Sequence, residues 1–427
     1  MSDDPQSQDE VRIRVRKLSK VFGKHPDRAL ALRDQGLDRA AILERTGDTL
    51  GLSNIDFEVR SGELLVIMGL SGSGKSTLIR CLNRLIEPSE GEISIEGDEI
   101  TRMDTKRLRE CRRRHFSMVF QHFALFPHRS VLANAEYALE IRGMPKAQRQ
   151  EKALDALKRV GLEEWKDAYP RQLSGGMQQR VGLARALASD SSVMLMDEAF
   201  SALDPLIRRD MQQELVGLQR ELDKTIVFIT HDLDEALNIG DRIILLKDGE
   251  IVQVGTPEEI LTHPANAYVE RFVEGVDMSR VLTAQAAMRR PVAPITLDAT
   301  PGEALARMDE GGVDTLYVVD DEQRLAGILE RGALVRACAG EAPPLATLIE
   351  REVPRVLPAE PLHHLFPMFN KRNYPIAVVD GEGRLRGVVV RGAVLAQLAE
   401  VGREAPSPEP APSLAPLDGP SATGVSS

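Results

Sequence analysis

Two stretches of this chain carry residue types and spacings suited to chemistry on a phosphate. Gly69-Leu70-Ser71-Gly72-Ser73-Gly74-Lys75-Ser76-Thr77 fits G-x-x-x-x-G-K-[ST], between the apolar run Leu64-Leu65-Val66-Ile67-Met68 and a helical pattern that resumes at Leu78. Glycines at this spacing let successive backbone N–H groups converge on one anion at the positive end of a helix. Lys75 can then reach β- and γ-phosphates, and the Ser76 hydroxyl can ligate Mg²⁺. Asp197-Glu198 closes a second apolar run, Val193-Met194-Leu195-Met196. Two acids ending a buried strand, at the same edge as a phosphate loop, suit catalysis rather than a solvated pair.

Both stretches need strands that end at a common edge. Met118-Val119-Phe120-Gln121 and Ile226-Val227-Phe228-Ile229-Thr230 are further apolar runs, the second leading into His231-Asp232. Leu173-Ser174-Gly175-Gly176-Met177-Gln178 opens a helix predicted to run through Ala188. Strands alternating with helices, with polar residues at strand ends, imply an α/β fold whose mainly parallel sheet carries its site along the C-terminal edge. Val11–Arg16 alternates apolar and basic residues, as a half-exposed strand does, and His25–Gly51 reads as two short inserted helices without recognisable chemistry.

The 427 residues are 42% hydrophobic and 28% charged, which suits two or three domains with a sizeable core. A net charge of −11 argues against nucleic-acid binding, which rests on clustered Lys and Arg. Lys106, Arg107, Arg109, Arg112, Arg113 and Arg114 form one basic cluster, expected to be a solvated helix face. Cys81, Cys111 and Cys338 have neither disulfide nor metal-ligand spacing, which fits a reducing cytosol. No apolar run approaches the roughly 18 residues of a membrane span, and the polar start does not read as a signal peptide. A membrane, if involved, is expected to come from a partner.

An internal repeat follows residue 276. Val318-Val319-Asp320-Asp321-Glu322-Gln323-Arg324-Leu325-Ala326-Gly327 recurs as Val378-Val379-Asp380-Gly381-Glu382-Gly383-Arg384-Leu385-Arg386-Gly387, and Arg331-Gly332-Ala333 as Arg391-Gly392-Ala393. Each copy is expected to be a strand, turn, strand, helix unit, the two packing to complete one core. Residues 404–427 are rich in Pro, Ser and Ala and are expected to stay disordered.

In order and spacing, the phosphate loop, Gln121, Leu173-Ser174-Gly175-Gly176, Asp197-Glu198, Ser201-Ala202-Leu203-Asp204 and His231 resemble an ABC-transporter ATPase. The segment from Phe22 to Gly47, the stretches Ile67–Lys75 and Met194–Pro205, and the doubled C-terminal module resemble more closely the ATPase subunits of glycine betaine/proline betaine importers. The resemblance implies a P-loop NTPase domain with a helical subdomain over residues 1–276, then CBS-like repeats at 277–340 and 341–403. It implies ATP bound by Gly69 through Thr77 with Gln121, and Mg²⁺ held by Ser76, Gln121 and Asp197. Glu198 becomes the general base and His231 the γ-phosphate contact. Phe22 is either an adenine platform or a core side chain.

Leu173, Ser174, Gly175, Gly176 and Gln178 form a second anion-binding turn, which the resemblance assigns to the nucleotide of a twin copy in a head-to-tail homodimer. Ser201, Ala202, Leu203 and Asp204 become the D-loop. Implied partners are integral membrane permease subunits, docking around Gln121–Val131 with Phe123, Leu125 and Phe126, and a periplasmic or lipid-anchored solute-binding protein. Such a subunit sits peripherally on the cytoplasmic side of the membrane. In the repeat, Glu330, Ala333, Val390 and Ala393 stand where nucleotide-binding CBS copies carry a hydroxyl and an Asp, which argues against classical adenosine binding. An ionic-strength sensor using Arg280, Arg289, Arg290, Lys371 and Arg372, a cyclic dinucleotide site and a ligand-free dimerisation element all stay open. Other readings are an importer of a different small solute, a soluble ABC ATPase acting on ribosomes or DNA, and a nucleotide-binding regulator. A single motif set argues against the soluble ATPase, and an intact Glu198 against the regulator.

Overall fold

Three segments buried at every residue, Leu64–Met68, Val193–Asp197 and Thr225–Thr230, dictate the centre of the fold. Strands apolar on both faces need helices or a second sheet on each side, the arrangement of a parallel sheet. The computed structural model describes residues 10–338, 344–371 and 374–401. The Pro-rich stretch 404–427, Arg372 and the side chain of Lys371 lie outside what is described. The chain divides into two compact units after Val281.

The first unit contains β1 (Val11–Phe22), β2 (Thr49–Arg60), β3 (Leu64–Met68), β4 (Glu90–Ile95), β5 (Asp98–Glu99), β6 (Phe116–Phe120), β7 (Val193–Asp197), β8 (Thr225–Thr230), β9 (Arg242–Lys247) and β10 (Glu250–Gly255). One sheet runs β10-β9-β3-β8-β7-β6, parallel except for β10 at its edge. The other, β2-β1-β4-β5, is antiparallel. Alternate residues of β3 serve two cores: Leu64, Val66 and Met68 pack with Val181, Phe200 and Leu215 on one face. Leu65 and Ile67 pack with Ile13, Ile55 and Leu78 on the other.

The inserted segment forms two helices, Pro26–Asp34 and Arg39–Thr46, as the sequence predicts. Asp38 caps the second helix by accepting the Ala41 N–H, and Gly47 ends it in the left-handed region at φ 72°. Ala29 and Ile42 bury against Val21 and Leu50 of the antiparallel sheet, fixing the insertion onto it. The basic helix Thr105–His115 departs from expectation at Arg112. That guanidinium turns inward and donates to the carbonyls of Asn83 and Arg84, while Lys106, Arg107, Arg109, Arg113 and Arg114 are exposed.

The second unit contains β11 (Ile295–Thr296), β12 (Thr315–Val319), β13 (Leu325–Glu330), β14 (Arg355–Val356), β15 (Ile376–Val379) and β16 (Leu385–Val389), in two three-stranded sheets. Each copy has the expected hairpin and following helix, and adds a short parallel strand and a helix before the hairpin. Asp320 and Asp380 fold the two turns identically, each accepting backbone N–H groups two and four residues on. The hairpins then meet reciprocally: Leu325 N–H donates to Gly383 and Leu385 N–H to Gln323, both at 3.0 Å. Tyr317, Ile328, Ala377 and Val388, drawn from both copies, share one core. Of the basic candidates for salt sensing, Arg280 is paired with Asp277 at 3.2 Å.

The cysteines differ sharply in environment. Burial pushes the Cys81 thiol up to about 12, and Cys111 is also raised, whereas Cys338 is exposed. The thiolate is the reactive form. Iodoacetamide at pH 8 is therefore expected to label Cys338 in the folded chain and to reach Cys81 and Cys111 only after denaturation, as read by mass spectrometry of the peptides. Equal labelling of all the cysteines without denaturant would contradict this packing.

Candidate active site

The strand register brings the sequence-predicted residues to one edge. Met68 pairs with Thr230, Asp197 with Ile229, and Phe120 with Asp197, so β3, β6, β7 and β8 end nearly level. Gly69, Gln121, Glu198 and His231 are the residues immediately after those strands. Because side-chain direction follows register, this alignment is what gathers groups distant in sequence.

The phosphate loop is held by close backbone approach. Gly69 has φ 153°, and a Cβ there would lie 2.1 Å from the Leu246 carbonyl oxygen. Gly74, at φ 104°, would place a Cβ 2.8 Å from the Gly51 carbonyl oxygen. Only glycine satisfies both demands. The Gly249 N–H donates to the Ser73 carbonyl at 3.0 Å, tying the loop to the β9–β10 turn. Helix Lys75–Leu82 starts from Gly74 and leaves its first N–H groups free for an anion.

Lys75 is buried, with its ammonium donating to the carbonyls of Gly69 at 2.8 Å and Leu70 at 3.0 Å. Desolvation lowers its pKa, opposed by the charges of Glu198 and Asp197. The Ser76 hydroxyl donates to Asp197 Oδ1 at 3.1 Å, and Arg80 lies 3.4 Å from Oδ2. These Ser and Asp oxygens suit Mg²⁺, which takes one or two protein oxygens together with phosphate and water. No cluster of three or more His, Cys, Asp or Glu groups suited to a metal occurs among the described residues.

Glu198 adopts φ 47°, a left-handed conformation unusual for a side chain of this type. Its N–H still reaches the Ile229 carbonyl at 3.1 Å, and its carboxylate lies 3.3 Å from His231 Nδ1. An open cleft of about 640 Å³ faces the pair; Glu198, His231 and the loop residues Leu70, Ser71, Gly72, Gly74, Lys75, Ser76 and Thr77 line it. Phe22, 42% exposed, also lines the cleft, as does Thr49, and its ring packs close to Gly51. That settles its alternatives in one respect: Phe22 is not a core side chain.

Other predicted residues lie elsewhere. Gln121 follows β6 at the same edge but does not line the cleft. Neither do Leu173, Ser174, Gly175, Gly176 and Gln178; Ser174 and Gly175 are exposed at the start of helix Gly175–Ala188, with Ser174 capping it through the Met177 N–H. Ser201 closes a turn onto the Glu198 carbonyl at 2.9 Å, and Leu203 is buried. Of the proposed docking residues, Phe126 lines a largely apolar groove of about 410 Å³ with Phe120, Tyr137 and Ile141, whereas Phe123 and Leu125 pack against the core.

Three arginines escaped the sequence reading. Arg185 donates to the carbonyls of Phe123, at 3.2 Å, and Ala124, at 2.6 Å, joining the helix that Ser174 caps to the loop after Gln121. Arg208 donates to the carbonyls of Ser201 and Leu203, both at 3.3 Å, and pairs with Asp232 at 3.2 Å, joining the turns after Glu198 and His231. Arg39, from the insertion, lines the cleft. No motif signals any of them, since each acts through tertiary position.

Similarity to known proteins extends over most of the chain. Residues 52–201 match the family model described as ABC transporter, and residues 284–340 and 345–400 match that of the CBS domain. The "Glycine betaine transport ATP-binding protein OpuAA" of Bacillus subtilis is 54% identical over 389 residues, covering 91% of this chain and 93% of that protein. The "Glycine betaine/proline betaine transport system ATP-binding protein ProV" of Salmonella typhimurium is 46% identical, covering 92% and 98%. Among solved structures, cbiO1 from Clostridium perfringens, part of the ABC transporter complex cbiONQ, is 27% identical with a TM-score of 0.51, covering 62% of this chain and 95% of that one.

The glycine contacts make a direct prediction. Gly69→Ala must push the loop off Leu246 and spoil the cradle, so affinity for a fluorescent nucleoside triphosphate is expected to fall at least about tenfold, the scale of one lost charge-assisted hydrogen bond. Unchanged affinity would show that the loop tolerates the shift.

Proposed function

The chain belongs to the ABC transporter ATP-binding proteins of the glycine betaine import systems, and from that premise we propose that it energises uptake of glycine betaine, proline betaine or a related quaternary amine by hydrolysing ATP. The observation that carries the reading is the common edge at which the phosphate loop, Asp197, Glu198 and His231 meet. Phosphoryl transfer to water asks little covalent work of a protein; it needs charge neutralised and a water aligned.

Each group then has a task. Lys75 and the loop amides hold the β- and γ-phosphates, with Ser71 at the loop's open side. Ser76 and Asp197, with Gln121 following β6 at the same edge, would hold Mg²⁺, which would supply positive charge to the phosphates. Glu198 accepts the proton of the attacking water, and His231, 3.3 Å away, orients that carboxylate and contacts the γ-phosphate. Phe22 offers its exposed face to adenine.

Two copies of the chain work together. The Ser174-Gly175 turn is exposed and lies off its own chain's cleft, so its amides can serve an anion held by a second copy. Opening and closing of that homodimer reaches a membrane permease through the groove beside Phe126, because Arg185 ties the loop after Gln121 to helix Gly175–Ala188. The solute itself is chosen by the permease and by a periplasmic or lipid-anchored binding protein. No helix among the described residues is long and apolar enough to cross a membrane. On this reading the permease holds the subunit at the cytoplasmic face of the membrane.

Glu198→Gln tests the reading in the complex reconstituted in vesicles. The variant is expected to bind ATP normally while turnover and ATP-driven glycine betaine uptake drop at least about a hundredfold, the usual scale of a general base. Hydrolysis at the wild-type rate would remove Glu198 from that role, and hydrolysis without betaine uptake by the wild type would refute the solute.

A further inference from the structure

We infer that Arg39, carried by the inserted helical pair, is a second cation for the phosphate chain of the nucleotide. This deepens the proposed ATP site and rests on that reading. Arg39 lines the cleft with Gly72 and Lys75, and its Nη1 donates to the Gly72 carbonyl at 3.3 Å. Gly72 lies in the middle of the phosphate loop, so the guanidinium sits at the rim of the cradle rather than on a distant surface. No ion pair of Arg39 with a carboxylate occurs among the described residues. Its neighbour in sequence, Asp38, is occupied in capping the helix through the Ala41 N–H.

The placement is unfavourable for the helix itself. Arg39 is the first residue of Arg39–Thr46, where the positive end of the dipole repels a cation, and the first turn contains no acid. A cation there gains from a negative group in front of it. The cleft supplies the site for it: beside the helix end lies a loop built to hold phosphates, whose own ammonium, Lys75, is recessed and shared between two carbonyls. An arginine fork at the rim can grip a phosphate oxygen bidentately, which a recessed lysine cannot.

The insertion is anchored firmly enough to aim this side chain. Arg33, on its first helix, donates to Ser19 Oγ at 2.7 Å and to Glu90 at 2.9 Å. Asp48, just after the second helix, accepts the N–H groups of Lys24 and His25. The first pair of bonds ties the insertion to β1 and β4, and the second closes its two ends on each other, so the position of Arg39 beside the loop is set before nucleotide arrives. The insertion also precedes residue 52, where the match to the ABC transporter model begins, so this contact is an addition to the motifs that the match covers.

Equilibrium binding of ATP to the full chain separates the possibilities, with Arg39→Ala, Arg39→Gln and Lys75→Ala measured beside the wild type. Arg39→Ala and Arg39→Gln are both expected to weaken ATP about tenfold, the scale of one charge-assisted hydrogen bond, and to flatten the dependence of affinity on salt. Gln keeps a donor for the Gly72 carbonyl but has no charge. Wild-type affinity in Arg39→Gln would therefore reduce Arg39 to a loop prop and overturn the inference, as would Arg39→Ala within twofold of wild type while Lys75→Ala loses binding. If Lys75→Ala also binds ATP normally, the reading of the cleft fails first and the inference with it.

Discussion

Everything that happens at this site depends on two backbone approaches too close for any side chain. Gly69 rests against Leu246 and Gly74 against Gly51, so the phosphate loop is wedged between the parallel sheet and the antiparallel one. The wedge fixes the direction of the loop amides and the start of helix Lys75–Leu82. It also explains why the antiparallel sheet matters to a site whose acids, Asp197 and Glu198, belong to the parallel one: β2 supplies Gly51, and β1 carries Phe22 to the cleft. A preorganised cradle spends little free energy on ordering when the ligand arrives, which is where such sites obtain their affinity.

Around that fixed point the structure places parts that are joined to one another rather than to the cradle. Glu198 holds a left-handed backbone that costs about 1–2 kcal/mol for a residue with a Cβ. The strain is sustained by the ladder bond to Ile229 and the Ser201 turn, and it lifts the carboxylate out of the sheet toward the cleft. Arg208 binds the turn after Glu198 to the one after His231, and Arg185 binds the loop after Gln121 to the helix capped by Ser174. Arg208 thus stiffens the edge of the cleft, while Arg185 couples the exposed Ser174 turn to the loop that leads to the apolar groove. Both links use hydrogen bonds from partly buried guanidinium groups to carbonyls, joined at Arg208 by the ion pair with Asp232, a geometry that holds only while the loops keep their shape.

Much of this was legible in the chain. Buried parallel strands announce themselves as unbroken apolar runs, so β3, β7 and β8 and the polar residues at their ends could be read directly, and the doubled turn at Asp320 and Asp380 betrayed the repeat. Strand β2 was equally legible in principle, since Ile55, Phe57 and Val59 alternate with Asp56, Glu58 and Arg60, but Gly51 and the insertion before it drew the reading toward helices. Arg112 was misread because composition cannot tell a solvated arginine from one that reaches back to helix-end carbonyls. Arg185 and Arg208 were invisible for a deeper reason: each matters through a carbonyl brought near by folding, and a carbonyl has no letter in the sequence. Arg39 likewise reaches the phosphate loop only through the fold.

The central claim is that one nucleotide lies between the phosphate loop of one copy and the Ser174 turn of its twin. Disulfide trapping tests it directly, in the assembled complex whose subunit carries Glu198→Gln, Ser71→Cys and Ser174→Cys, with the native cysteines replaced by alanine. Oxidation with ATP and magnesium should yield a covalent homodimer, and oxidation without nucleotide should not. A bridge formed within single chains, or no bridge when ATP is bound, would contradict the account.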